Sequence, residues 1–365
     1  MTSLSIKQKA QQYVVLTGMA LFIGLLVGAI DMIFGQGLLL IGDFRSQHWP
    51  LILFLAIAGL VIVYLYKRFG GKASKGMGLI FDVGHAREEK IPLVLVPLIM
   101  LTTWMSHLFG GSVGREGVAV QIGATLSHRF ARHIKIPDAS RIFLMTGMAA
   151  GFAGLFQTPL AATFFALEVL TVGELQLMAL YPALIASIVA SFTSHALGLE
   201  KFAVPLRETL SWTPETLIKV ALLGLAFGLA GKLFAVSLSW LKKTVAQVLP
   251  NPYIRIAVIG AGLSLVLLTL QLTKVGTYSG LGTNLIDVAF HQGSAQSYDW
   301  ILKLLFTVVT ISAGYQGGEV TPLFAIGATL GVFLAPMLGL PVLVVAAIGY
   351  ASVFGSATTT LLAPI

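Results

Sequence analysis

The sequence predicts an all-α polytopic membrane protein, and three observations lead to this fold class. Hydrophobic residues make up 56% of the 365 residues, charged residues make up only 10%, and the mean hydropathy is +0.90. A soluble domain carries about 25% charged residues. Long apolar runs reach the roughly 20 residues that a helix needs to cross a bilayer. Glycine-rich stretches open shorter apolar runs, which is typical of helices that enter a membrane without crossing it.

The long apolar runs are predicted as membrane helices. In chain order they cover residues 13–34, 50–66, 92–109, 142–170 as two pieces divided at 156–159, 175–197, 216–240, 254–272 and 300–312. The first run is too long for a signal peptide and lacks a small-residue cleavage site, so we interpret it as a retained helix. Thr213-Pro214-Glu215 predicts a helix start after the polar link that begins at residue 198.

The charge pattern predicts topology. The net charge of +8 comes from 23 Lys and Arg against 15 Asp and Glu. The basic residues cluster in the predicted loops at 67–75 and 128–141, which places these loops and the N-terminus in the cytoplasm and argues against nucleic-acid binding. The histidines of the second loop are interpreted as solvated residues. The absence of cysteine excludes disulfides and thiolate ligands, and we predict neither a metal site nor a cofactor.

One glycine-rich stretch, residues 110–126, organises the rest of the chain. It contains Gly114, Arg115, Glu116 and Gly117, and its glycines predict a loop that starts a helix near Glu116. The start of a helix exposes unpaired backbone N–H groups and the positive end of the helix dipole, which together bind anions. A carboxylate at this position competes with the anion for the same place.

The stretch recurs later in the chain. Residues 122–126, Ile-Gly-Ala-Thr-Leu, reappear at 326–330, and the same offset places Gly114 on Gly318. Residues 314–322 form a second glycine-rich helix start, with Glu319 and with Pro322 near the first turn, where proline is favourable. Two broken helices at matching places predict two repeats, residues 1–205 and 206–365, with a site between them. The offset also predicts that the second repeat continues past Ile365, so further helical residues are expected there.

These residues resemble the CLC family of chloride channels and anion/proton antiporters. The resemblance rests on Gly114 to Gly117 before a short helix, on the upstream start Gly76-Met77-Gly78, and on Gly318 to Pro322. It implies an inverted repeat whose broken, re-entrant half-helices meet at a central anion site, and a homodimer in a lipid bilayer. In this family Glu116 matches the external gating glutamate that carries the proton. The backbone amides that follow Gly318, those of Glu319, Val320 and Thr321, match the cradle of the central anion.

Three departures from the chloride pattern resemble the fluoride/proton antiporter branch. Met77 replaces the serine of a Gly-Ser-Gly-Ile-Pro start, and Glu319 and Thr321 stand in a start that usually reads Gly-Ile-Phe-Ala-Pro. Glu168 is followed by Val169 where chloride/proton antiporters carry two adjacent acids. The resemblance implies functional roles for Met77, Glu116, Glu319 and Thr321. Fluoride is strongly hydrated, and a protonated carboxyl and a hydroxyl are the short, strong donors that could replace its water.

We therefore predict a fluoride/proton antiporter of the cell (inner) membrane that exports fluoride and imports protons. The nearest alternative is a chloride channel or chloride/proton antiporter of the same fold. A remote alternative is an intramembrane enzyme, but the chain has no His-Glu-x-x-His pair and no Gly-x-Ser-x-Gly turn. Structural roles also remain open: Glu116 as a first-turn acid, Glu319 as the partner of a nearby base, and Arg115 as a donor that braces the loop.

Overall fold

The computed structural model describes the whole chain except residues 1–5, 201–202, 207 and 274. The beginning of the polar N-terminal segment and parts of the polar link between the predicted repeats therefore lie outside the described residues. The described residues form fourteen α-helices and no strand, apart from one isolated two-residue bridge. The helices are α1 Ile6–Gln47, α2 Leu55–Leu65, α3 Met77–Gly84, α4 Leu95–Leu108, α5 Glu116–Ala131, α6 Ala139–Phe156, α7 Pro159–Glu168, α8 Leu180–Ala196, α9 Pro214–Val248, α10 Pro252–Leu272, α11 Thr283–Asp287, α12 Asp299–Ala313, α13 Val320–Leu338 and α14 Val342–Thr358.

Seven helical segments of the described chain are long and apolar enough to cross a membrane, judged by length and composition. They are Ala10–Gln47, Trp49–Gly84, Ala139–Phe156, Leu177–Ala196, Pro214–Val248, Pro252–Leu272 and Val320–Leu338. Shorter apolar helices, including α4, α7 and α14, accompany them. The predicted all-α, multi-pass membrane architecture is confirmed.

Local sequence signals placed several helix ends correctly. Thr213 caps α9, because its side-chain oxygen accepts a hydrogen bond from the Thr216 backbone N–H at 3.2 Å, and Pro214 is the first helical residue. The predicted break at 156–159 separates α6 from α7, and Gln157 there has a left-handed φ of 57°. Residues 283–287 and 342–358 form α11 and α14, which the apolar runs did not indicate.

The prediction of a loop at 67–75 is wrong. A π-helical turn covers Tyr66–Gly70 and a 3₁₀ turn covers Gly71–Lys75. Lys75 Nζ lies 3.0 Å from Asp82 Oδ2, and Lys72 Nζ lies 2.6 Å from Glu88 Oε2. These acids lie on and after the next helix, so the lysines of the second basic turn are paired with acids of the following segment.

The predicted loop after residue 126 is also too long. Helix α5 continues to Ala131, and its last turn contains His128 and Arg129, where positive charge complements the helix dipole. His128 is only 2% exposed and its Nε2 lies 3.1 Å from the Glu89 carbonyl oxygen, so this histidine is a buried residue and not a solvated one.

Close contacts within the chain define two compact units. The first contains Met1–Gly37, Phe69–Leu98 and Glu116–Phe202, and the second contains Leu38–Arg68, Ile99–Arg115 and Ala203–Ile365. The chain therefore enters each unit more than once. The proposed repeats, 1–205 and 206–365, describe similarity along the sequence, which grouping by contact does not test.

The core of the first unit is the antiparallel helix pair α5–α6, and the two helices contact each other at glycine residues. A Cβ added to Gly147 would fall on the carbonyl oxygen of Gly123, and one added to Gly123 would fall on that of Gly147. One turn further along α6, a Cβ on Gly151 would fall on the Ala119 carbonyl oxygen. The two backbones therefore touch, which only small residues allow.

The core of the second unit is the pair α13–α14, which is built in the same way. Gly327 and Gly349 are each in contact with the other's carbonyl oxygen. A Cβ on Gly331 would lie 2.6 Å from the Val345 carbonyl oxygen. Gly123 and Gly327 both belong to the repeated Ile-Gly-Ala-Thr-Leu sequence, so the repeat marks the crossing point of each pair.

Candidate anion and proton site

Glu116 is the first residue of α5 and its side chain is fully buried, with an exposure of 0%. The predicted helix start at this position is confirmed. The first backbone N–H groups of α5, including that of Gly117, have no acceptor within the helix and point towards its N-terminal end. A buried carboxylate at the anion-favouring end of a helix is the arrangement that the glycine-rich stretch predicted.

Met77 is the first residue of α3, in the same unit as Glu116. Gly76 adopts a φ of 53° and a ψ of −128°, which glycine tolerates and other residues rarely do. Met77 is half-buried and Gly78 is exposed. The predicted glycine-flanked helix start is therefore present, with its first N–H groups left without helical acceptors.

Gln121 links the starts of α3 and α5, and the sequence analysis missed it. Its Nε2 donates to the Gly117 carbonyl oxygen at 3.0 Å, and its Oε1 lies 3.4 Å from the position of a Cβ on Gly76. Within the described part of the chain, no donor reaches this buried Oε1. An uncharged amide inside an otherwise apolar helix was the available sequence signal.

Gly114 and Gly318, the pair related by the repeat offset, contact each other directly in the second unit. The Gly114 N–H donates to the Gly318 carbonyl oxygen at 2.5 Å, and the Gly318 N–H donates to the Gly114 carbonyl oxygen at 2.7 Å. Gly317 has a φ of 157°, and a Cβ there would lie 2.5 Å from the Val113 Cβ. These glycines permit the close approach of two backbone segments, one ending in Arg115 and the other leading into α13.

Glu319 is the residue immediately before α13, and it is half-buried. Val320 and Thr321 are the first helical residues, and each is 4% exposed. Pro322 has no backbone N–H, and the backbone N–H groups of Val320 and Thr321 have no acceptor within α13 itself. The start of α13 therefore brings together the Glu319 carboxyl, the Thr321 hydroxyl and the backbone amides of Val320 and Thr321.

Lys303 is a buried basic residue of the second unit that the sequence analysis did not identify. It lies on α12 with an exposure of 0%, and its Nζ donates to the Gly280 carbonyl at 2.7 Å, to Ser112 Oγ at 2.9 Å and to the Tyr278 carbonyl at 3.3 Å. Ser112 belongs to the loop that leads to Glu116, so this lysine ties the loop to the segment 278–280. No carboxylate forms an ion pair with it among the residues described.

The same face of α12 continues the polar contacts. Thr307 Oγ1 lies 3.0 Å from Ser112 Oγ, and the Ser112 N–H donates to Thr310 Oγ1 at 3.4 Å. Asp299, one turn before Lys303, accepts a hydrogen bond from the Tyr278 hydroxyl at 2.6 Å. A polar stripe with helical spacing in an apolar run was the signal that could have revealed this network.

The fold and these helix starts define a multi-pass membrane protein of the channel and transporter type. A family model described as voltage gated chloride channel matches residues 58–365, so the chain belongs to this family, the CLC family. It is similar to a crystal structure of a CLC-type fluoride/proton antiporter, with 50% sequence identity, a TM-score of 0.94, and coverage of 99% of this chain and 90% of that chain.

Of two further comparisons, the first agrees with this family and the second agrees with the fold. A chloride/fluoride channel protein of Pseudomonas syringae pv. tomato is 37% identical over 94% of this chain and 76% of its own length. The crystal structure of a slow cyanobacterial chloride/proton antiporter has the same fold, with a TM-score of 0.75 at 19% identity, and covers 96% of this chain and 93% of that chain.

Proposed function

We propose that this chain is a fluoride/proton antiporter that exports fluoride across the cell membrane in exchange for protons, with its N-terminus in the cytoplasm. The observation that carries the proposal is the set of side chains at two helix starts. Met77 stands at the start of α3, and Glu319 and Thr321 flank the start of α13. At the start of α13, the Glu319 carboxyl, when protonated, and the Thr321 hydroxyl are stronger donors for a compact anion than the Ile and Ala side chains that the chloride pattern has at these two positions.

The anion half of the exchange uses the start of α13. The amides of Val320 and Thr321 and the Thr321 hydroxyl would donate hydrogen bonds to fluoride. Glu319, when protonated, would add a further donor and no negative charge. Removing water from fluoride requires replacement donors of this strength, because an unsatisfied ion in a membrane is very costly.

The proton half uses Glu116. An ionised carboxylate is stable at the positive end of α5, and so is an anion, so the two compete for this end. Protonation makes the Glu116 carboxyl neutral and weakens its interaction with the positive end of α5, which allows an anion to replace it. Each exchange of carboxylate for anion then moves one proton with the side chain, which couples the two fluxes.

The descriptions of two relatives support fluoride as a transported ion, and one of them also supports antiport. The solved structure at 50% identity is described as a fluoride/proton antiporter, and the Pseudomonas syringae relative is described as a chloride/fluoride channel protein. We also propose that the chain acts as a homodimer, as the CLC resemblance implies.

The test is uphill transport by the purified chain in liposomes. An imposed proton gradient should drive fluoride against its own gradient, recorded with a fluoride electrode and a pH-sensitive dye. The control is the same liposome without protein. Fluoride that only runs down its own gradient, with no response to the proton gradient, would contradict antiport and favour a channel.

A further inference from the structure

Asp31 is a buried acid that the proposed exchange does not yet use. It lies on α1, inside the apolar segment Ala10–Gln47, and its exposure is 0%. Acidic side chains within membrane segments are rare and mark functional positions more often than structural ones. The sequence alone shows one aspartate in an apolar run and gives no indication of what surrounds it.

The Asp31 carboxyl has no hydrogen-bond donor. Across the described residues, nothing reaches either Oδ1 or Oδ2. An ionised carboxylate without a donor or a counterion costs several kcal/mol or more in an apolar interior. Asp31 is therefore neutral at rest and holds a proton.

The carboxyl of Asp31 rests on Gly154 of α6. A Cβ on Gly154 would touch Asp31 Oδ2 and would lie 3.2 Å from both Cβ and Cγ of Asp31. Gly147, Gly151 and Gly154 are spaced four and three residues apart, so they lie on one face of α6. The first two of these glycines contact α5, and the third contacts Asp31.

This face places Asp31 level with the beginning of α5. Gly151 contacts Ala119, and Gly154 lies three residues, or about 4.5 Å, further along α6. Because α5 runs antiparallel, the residue level with Gly154 is three positions before Ala119, which is Glu116. The Asp31 carboxyl and the backbone of Glu116 therefore lie on the same face of α6 and at the same level along its axis.

The second helix pair shows that the fold does not need an acid at this level. In α13–α14 the contacts of Gly327 with Gly349 and of Gly331 with Val345 place Ser356 level with Val320, the first residue of α13. The Ser356 hydroxyl donates to the Gly228 carbonyl oxygen at 2.8 Å. Ser356 is therefore the counterpart of Gly154, and the helix that contacts it there, α9, does so through Gly228 and Gly231 and not through an acid, so packing alone does not explain Asp31.

Few other titratable groups belong to the helices around Asp31. Helix α6 carries none between Arg141 at its beginning and its end at Phe156, and α8 carries Tyr181 and the exposed His195 near opposite ends. On α5, Glu116 is the titratable group nearest in level to Gly154. Proton exchange at Asp31 therefore has Glu116 as its natural partner.

We propose that Asp31 is a second proton-binding residue of the transport cycle, which exchanges its proton with Glu116. The Asp31 carboxylic acid gives its proton to the Glu116 carboxylate, which leaves an Asp31 carboxylate and a neutral Glu116. The Asp31 carboxylate then takes up a proton from hydronium in the aqueous solution, which leaves a water molecule. This inference rests on the proposed antiport, because it assigns a step to its proton half.

The test compares Asp31→Asn and Asp31→Ser with Asp43→Asn in liposomes. Asparagine keeps the shape of aspartic acid without its exchangeable acid proton, and serine keeps a smaller polar side chain that cannot carry an acid proton. Asp43 is an exposed acid of the same helix, so its variant is the matched control. We expect all three variants to release fluoride down its own gradient, and proton uptake coupled to fluoride to fall at least about tenfold only in the two Asp31 variants, a difference of about 1.4 kcal/mol.

Full proton coupling in either folded Asp31 variant would overturn the assignment while leaving the proposed antiport intact. Absence of proton coupling in the unmodified chain would instead overturn the antiport. Infrared difference spectroscopy provides a readout that does not depend on flux. Besides any band from Glu116 or Glu319, one band from a protonated carboxyl should change on fluoride addition in the unmodified chain and in the Asp43 variant, and this band should be missing from the spectra of the Asp31 variants. No such band, or one that fluoride leaves unchanged, would overturn the proton-binding role.

Discussion

The helix pairs α5–α6 and α13–α14 cross through the same kind of glycine contact. They differ in the residues at the start of α5 and of α13. In each pair a glycine of the repeated Ile-Gly-Ala-Thr-Leu sequence contacts a glycine backbone on the second helix. At the start of α5, a glutamate is the first helical residue and is fully buried. At the start of α13, a glutamate precedes the helix, is half-buried, and is followed by a buried threonine.

The two pairs together separate what the fold requires from what function adds. Close backbone contact is common to both pairs, so the crossing glycines belong to the architecture. The buried ionisable residues differ. In the first unit the acid Asp31 is buried against α6, whereas in the second unit the basic residue Lys303 is buried against Ser112 and the segment 278–280. Groups that one unit has and the other lacks are the better candidates for moving protons and anions.

The largest expected effect is a loss of stability when a glycine at the crossing of α5–α6 or of α13–α14 is replaced by alanine. Gly147→Ala and Gly349→Ala would each place a Cβ on a backbone carbonyl oxygen, so we expect each to lower the free energy of unfolding by about 3 kcal/mol. Gly262→Ala on α10 is the control, since no described atom lies within 4 Å of its Cβ. Denaturant unfolding in detergent measures all three. If only one of the two variants, Gly147→Ala or Gly349→Ala, lowers the free energy of unfolding, the two crossings are not equivalent.

The next effect separates the two glutamates. Glu116→Gln should lower proton movement coupled to fluoride by about two orders of magnitude, because glutamine cannot carry the proton. Glu319→Gln keeps a donor but cannot ionise, so it should retain coupling and change the fluoride rate instead. Proteoliposome fluxes of both ions distinguish the variants. Protons still moved against a gradient by the E116Q protein would show that the carrier is elsewhere.

Lys303 tests the buried base of the second unit. Lys303→Met keeps most of the length of the side chain but removes the donors to Ser112 and Gly280, so we expect a loss of about 2 kcal/mol in stability. Lys243→Met changes an exposed lysine of α9 and should be nearly neutral. Thermal unfolding in detergent measures both. Equal stability of the two variants would mean that the loop before Glu116 does not depend on this lysine.

The smallest expected effect is on selectivity at the start of α13. Thr321→Ala removes a hydroxyl worth about 1 kcal/mol to a bound anion, so the ratio of fluoride to chloride transport should fall about fivefold. Thr329→Ala is the control on the same helix, because the Thr329 hydroxyl donates to the Ala325 carbonyl of its own helix at 2.7 Å. An unchanged ratio in the T321A protein would remove the hydroxyl as a source of selectivity.

The sequence predicted those parts of the site that depend on local backbone chemistry. Glycines around Met77 and before Glu116 predicted helix starts, and both helices begin at the residues expected. The repeat paired Gly114 with Gly318, and the two residues form hydrogen bonds with each other. Such features can be predicted because a glycine beside an apolar run reflects a backbone requirement at that position alone.

Contacts between distant segments could not be predicted in this way. Lys303 and Asp31 each stand alone in an apolar run, and only the folded chain shows that one has three oxygen partners and the other rests on Gly154 without a donor. Lys72 and Lys75 suggested an open basic loop because their acidic partners follow in the next segment. A linear sequence shows a charge but not whether the fold supplies its partner.

Preference for fluoride over chloride is the property that Met77, Glu319 and Thr321 are proposed to give the site. The most direct measurement is the initial efflux of fluoride and of chloride from matched liposomes that contain the purified chain. We expect fluoride to leave at least about tenfold faster, which corresponds to about 1.4 kcal/mol in the barrier. Equal rates for the two ions, or faster chloride, would contradict the proposed preference.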